Sequence, residues 1–112
     1  MRNLILTILV LFLTSGMAFA QQDQEVQEKA KMSVTAFTEL LALTKEQQTT
    51  VYNIFFTYGK ADHIIWSNSK LSNEEKKKQI ADLQAQTENK LIKALTDKQK
   101  AKYAAEKKNT GH

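Results

Sequence analysis

Three times in this chain a leucine precedes a hydroxyl residue that is followed, three positions on, by glutamine or glutamate. The segments are Leu43-Thr44-Lys45-Glu46-Gln47, Leu71-Ser72-Asn73-Glu74-Glu75 and Leu95-Thr96-Asp97-Lys98-Gln99. A hydroxyl in that place accepts from the N–H of the third residue of a helix. The Gln or Glu side chain returns to the cap N–H, so two donors left over at a helix start are both bonded. The pattern predicts three helix starts, capped by Thr44, Ser72 and Thr96 with Gln47, Glu75 and Gln99 as partners. Glu46, Glu74, Glu75 and Asp97 fall in the first turns, where the helix dipole favours negative charge. The partner positions for a hydrophobic staple hold Gln48, Lys76 and Lys100, so Leu43, Leu71 and Leu95 are expected to pack on neighbouring helices instead.

Apolar spacing fills in the helices between these starts. The first is expected over Gln24 to Ala42, with Val26, Ala30, Val34, Phe37, Leu40 and Leu41 on one stripe. The second, over Lys45 to Trp66, carries Val51, Ile54, Phe55, Tyr58, Ala61 and Ile65 on one face, with Tyr52, Phe56 and Ile64 beyond it. The third covers Asn73 to Ala94 and the fourth, Asp97 to Lys107, is short and offers only Ala101, Tyr103, Ala104 and Ala105. The sequence has no proline and three glycines, which leaves few of the residues that build hairpins and Greek keys. The fold class is therefore all-α, three to four helices joined at sharp corners. Gly59, inside the second helix, predicts a bend or a close-packing point.

Residues 1–20 read as an export signal. Arg2 supplies the positive start, Leu4 to Leu13 is an apolar stretch interrupted only by Thr7, and Ala18-Phe19-Ala20 gives a small-x-small cleavage pattern. Cleavage after Ala20 leaves residues 21–112 as one helical domain, exported and not stably inserted in a membrane. With no cysteine in the chain, a lipid anchor at a lipobox is excluded, as are disulfides, thiolate metal sites and cysteine nucleophiles.

Beyond residue 20 the chain holds 15 lysines, 12 acids and no arginine. Arginine provides the bidentate contacts of specific nucleic-acid recognition, so that role is excluded from the reading. Catalytic residues are also scarce. Asp62 and His63 are neighbours that point about 100° apart on a helix, and no oxyanion hole or glycine-framed elbow accompanies Ser67 and Ser69. No His-x3-His pair is present, so no catalytic residue, metal ligand or cofactor is assigned.

Five of the seven aromatics beyond residue 20 lie in the second helix: Tyr52, Phe55, Phe56, Tyr58 and Trp66. A chain this small buries a modest fraction of its surface, so some of this content is expected at a dimer interface or on an exposed binding patch. Together with the lysine run 76–78 it suits loose capture of unfolded chains.

The paired Leu-Thr-x-x-Gln motifs at 43–47 and 95–99, in a small cysteine-free helical chain with an export signal, resemble the Spy/CpxP family of periplasmic proteins. The resemblance implies helices in long bent hairpins that form a cradle-shaped antiparallel homodimer. It also implies an ATP-independent chaperone for unfolded envelope proteins, or an inhibitor docking on the periplasmic domain of an envelope-stress sensor. The chain departs from the family in its shorter inter-motif segment and its lack of arginine-rich, methionine-rich surfaces. Client-binding residues are expected to be Phe55, Phe56, Tyr58, Trp66, Lys76, Lys77 and Lys78. The alternative, a regulatory adaptor, draws on the basic half at 71–112.

Overall fold

The computed structural model describes residues 19–110, and within them every regular element is a helix. The expected export signal lies outside the described residues except for Phe19 and Ala20, which begin the first helix. The helices are α1 (Phe19–Leu41), α2 (Lys45–Ser67), α3 (Asn73–Lys93) and α4 (Asp97–Thr110). All three expected starts hold. Both α2 and α3 open on complete capping boxes, around Thr44 and Ser72.

The corner between α1 and α2 has a cause that the sequence pattern did not expose. Ala42 stands at φ 55°, and its N–H bonds back to the Thr38 carbonyl at 2.7 Å. This is a left-handed helix ending of the kind glycine usually provides. It turns the chain in two residues and sets Leu43 into the core.

The helices α1 and α2 pack as an antiparallel hairpin. Phe37 meets Phe55 edge-on at 5.6 Å, while near the other end Lys60 reaches Asp23 at 3.2 Å. The buried stripe of α1 is Val26, Ala30, Ser33, Phe37 and Leu41, a 3–4 spacing, and it faces Val51, Phe55, Tyr58, Gly59 and Asp62 on α2. Small residues, Ala30 and Ser33 on α1 and Gly59 on α2, keep this crossing narrow. Gly59 is therefore a packing point, and its φ is not positive. The second hairpin places α3 against α2 on the other side, through Ile80, Thr87 and Leu91.

Away from its capped start, the last helix is docked chiefly through Tyr103. Tyr103 is 3% exposed, its ring lies 6.1 Å from that of Phe37, and its hydroxyl donates to Glu88 Oε2 at 2.6 Å. Lys107 Nζ bonds the same oxygen. Ala101, Ala104 and Ala105, expected to help bury α4, are exposed. With α2 flanked by α1 and α3, the molecule measures 43 × 29 × 22 Å. Among the described residues no helix is long and apolar enough to cross a membrane.

Candidate functional site

The two Leu-Thr-x-x-Gln motifs meet in space. Gln47 Oε1 accepts from the Thr44 N–H at 3.0 Å while the Gln47 N–H donates to Thr44 Oγ1 at 3.1 Å. Thr96 and Gln99 repeat the exchange at 2.8 and 3.2 Å. Each glutamine amide still has two N–H donors, and both amides direct them across to the other motif. Gln47 Nε2 donates to Gln99 Oε1 at 2.6 Å and to the Ala94 carbonyl at 3.1 Å. Gln99 Nε2 donates to Gln47 Oε1 at 3.0 Å and to the Leu41 carbonyl at 3.2 Å. Orphan carbonyls at the ends of α1 and α3 are thereby satisfied by the start of the opposite helix.

This clasp explains why two of the three motifs end in glutamine. A glutamate has acceptors and no donor, so it caps its own helix but cannot bridge to a carbonyl. Glu75, in the Ser72 box, does only the first: it accepts from the Ser72 N–H at 2.8 Å. The Ser72 bonds hold its carboxyl below the ordinary range. Leu43 and Leu95, 5% and 6% exposed, sit under the clasp in one core cluster, as their expected packing requires. Leu71 is half-buried.

The expected client-binding residues do not form one surface. Phe55 and Tyr58 are corrected: at 0% and 1% exposure they belong to the core, because this face of α2 is enclosed by α1 and α3. Burial pushes the Tyr58 hydroxyl up to about 12, against the lowering effect of its bond from Gln84. Phe56 and Trp66 are half-buried, and Lys77 and Lys78 are exposed. The Lys76 ammonium donates to the Trp66 carbonyl at 3.0 Å, tying the start of α3 to the end of α2. Phe56 lies about 15 Å of helix away from Trp66 and joins a different group. Its ring stacks on Tyr52 with centroids 6.1 Å apart and planes at 12°, and Lys60 Nζ stands 5.7 Å from its centroid.

The aromatic surface left over is smaller than expected, and consists of the half-buried Tyr52, Phe56 and Trp66. Among the described side chains the exposed large hydrophobics are Met32 at 57% and Ile64 at 64%, and no aromatic joins them. A third helix on α2 and the Tyr103 anchor cover more of the rings than a simple count suggests. Periodicity placed Tyr52 and Ile64 beyond the core face of α2, yet Lys60 and Met32 carried no signal of their own.

Asp62 faces inward, 1% exposed, whereas His63 is half-exposed and its Nε2 lies 3.2 Å from Ser67 Oγ. Burial raises the Asp62 carboxyl to about 6, with Trp66 and Lys29 pulling against it. Among the described residues no three His, Asp or Glu side chains come together as a metal site. Burial also raises the Tyr103 hydroxyl, reinforced by the Glu88 carboxylate.

A groove of about 270 Å³ between α2 and α3 is lined by Ile54, Leu83 and the threonines Thr50, Thr57 and Thr87, with Lys90 at its edge. A second, of about 360 Å³, lies beside the clasp between Leu40 and the lysines Lys98 and Lys102. Set against known proteins, the chain matches no family model, no curated protein and no solved structure.

Proposed function

We propose that this is an exported, periplasmic, non-enzymatic protein that binds exposed apolar segments of unfolded envelope proteins without ATP, as the resemblance to the Spy/CpxP family implies. The observation that carries the reading is the partly open apolar surface of α2. Tyr52 and Phe56 stack outside the buried core with the Lys60 ammonium beside them, and Ile64 stands largely in solvent. Rings of this kind give area to a non-specific apolar contact, and the flanking charge speeds encounter and keeps the complex soluble. The contact set is accordingly Phe56, Tyr52, Ile64, Lys60 and, separately, Trp66 with Lys77 and Lys78. A homodimer extends the same surface over two copies.

The test is suppression of aggregation. Residues 21–112, at a few-fold excess over a thermally unfolding client, are expected to hold light scattering down. The double variant Phe56→Ser, Ile64→Ser is expected to lose most of that effect while keeping its helical circular dichroism. Unchanged client aggregation in the presence of the parent chain overturns the reading.

A regulatory adaptor is the second reading, and α4 favours it. Lys98, Lys100, Lys102 and Lys108 are all exposed around this helix, a basic surface for an acidic sensor domain. It predicts one saturable, salt-sensitive complex recovered from envelope extract in place of many unfolded chains.

A further inference from the structure

The most unusual group inside this fold is the carboxyl of Asp62. It is 1% exposed at the α1–α2 crossing, on the same face as Gly59 and Phe55 and opposite the fully buried Ala30 and Ser33 of α1. Its Oδ1 has no well-aligned hydrogen-bond partner, and neither has the buried indole N–H of Trp66 one turn further along α2. An ionised carboxylate held away from water with an unsatisfied oxygen is a costly arrangement. A neutral carboxylic acid in the same place is far less so.

The charges around it do not remove that cost. From α1 comes Lys29, whose side chain is 15% exposed and whose ammonium bonds Glu25 at 3.0 Å, so its charge is shared with a second carboxylate. On α2 itself the neighbours are Tyr58 one turn before, His63 next in sequence, and Trp66. From α3, Lys76 approaches this end of α2 but spends its ammonium on the Trp66 carbonyl. The polar N–H of the Trp66 indole and, after it, the Lys29 charge favour the ionised form, and burial outweighs both.

We propose that Asp62 makes the seating of the N-terminal half of α1 on α2 pH-sensitive, closed firmly in mildly acidic solution and loosened as the carboxyl ionises toward neutrality. The carboxyl titrates at about 6 in the folded chain against 3.8 when free. A group whose folded value is raised gives its full stabilisation below the free value and loses it as pH climbs through the folded one. The opening equilibrium of this helix pair therefore rises by about a hundredfold between pH 4 and pH 7 and is flat above that. The first part of α1, from Asp23 to Ser33, is the segment that moves. The second half, held by Phe37, Leu41 and the glutamine clasp, stays.

The experiment is backbone amide exchange on the full chain across pH 4.5 to 8, corrected for intrinsic rates, with the side-chain carboxyl of Asp62 titrated by NMR in parallel. Protection of amides in 26–33 is expected to fall by one to two orders of magnitude over that range, while amides in 37–41 change little. Asp62→Asn keeps the shape of the side chain and removes the titration, so its protection in 26–33 is expected to stay high and flat. His63→Gln removes the neighbouring imidazole and is expected to leave the parent's profile in place. A flat parent profile overturns the proposal. So does a pH response that survives in Asp62→Asn or vanishes in His63→Gln.

Discussion

The side-chain amides of Gln47 and Gln99, 52 residues apart in the chain, donate to each other's oxygens at 2.6 and 3.0 Å. Each also caps the helix it starts and bonds a carbonyl at the end of another. Removing either amide leaves the other's groups and a helix-end carbonyl unmatched, a loss of about 1–3 kcal/mol for each single variant. Gln47→Ala and Gln99→Ala are therefore expected to be sub-additive in urea unfolding, with the double variant costing clearly less than the two singles together. Additive losses would mean that the pair does not act as a unit.

The caps are separable from the clasp. Thr44→Ala and Thr96→Ala remove the hydroxyl that accepts from the Gln47 and Gln99 N–H groups, and each should cost about 0.5–2 kcal/mol. Ser72→Ala removes a cap that has no cross-motif partner. Thermal unfolding of Ser72→Ala combined with Gln99→Ala should be additive, which distinguishes a local cap from a linked one.

Ala42 holds a backbone conformation that costs an alanine about 1–2 kcal/mol relative to a right-handed helix. Ala42→Gly relieves that strain and gives back part of it through the greater freedom of glycine in the unfolded chain. A net gain of about 0.5–1 kcal/mol in urea unfolding is expected. No change, or a loss, would show that the side chain at this corner matters for packing on Leu43.

Acid affects the start of α3 in the opposite sense to Asp62. The Ser72 backbone and hydroxyl hold the Glu75 carboxyl below its ordinary 4.5. A lowered folded value contributes stability that is complete above the free value and is lost as pH falls through the folded one. Helix content at the start of α3, followed by amide chemical shifts, is expected to hold down to about pH 4.5 and fray below it. Glu75→Gln should remove that acid dependence.

Much of this architecture is legible in the sequence because capping chemistry is local. Thr44, Ser72 and Thr96 announce three helix starts with no knowledge of the fold, and the starts stand where the caps place them. The end of α1 falls within one residue of the expected Ala42, but the left-handed turn there was not legible, since it is made by Ala42 where glycine would have signalled it. Phe55 and Tyr58 stand on the face that periodicity marked as apolar, and only their assignment to client binding fails. Periodicity shows that a helix has apolar residues on several sides, but how many neighbours enclose it depends on contacts from α1, α3 and Tyr103 that are distant in sequence. The glutamine clasp is long-range too, although the choice of Gln47 and Gln99 over a glutamate like Glu75 was a visible hint of a donor with somewhere to go.

The clasp also bears on how this chain folds in time. Bringing Gln47 to Gln99 closes a loop of 52 residues, an entropic cost of about 3–4 kcal/mol for a flexible segment. Once α2 and α3 have zipped into their hairpin, most of that loop is already ordered and the remaining cost is small. The amide pair is thus a latch that is set late and released early. Weakening it should speed unfolding far more than it slows folding, so this latch governs how long the native state persists.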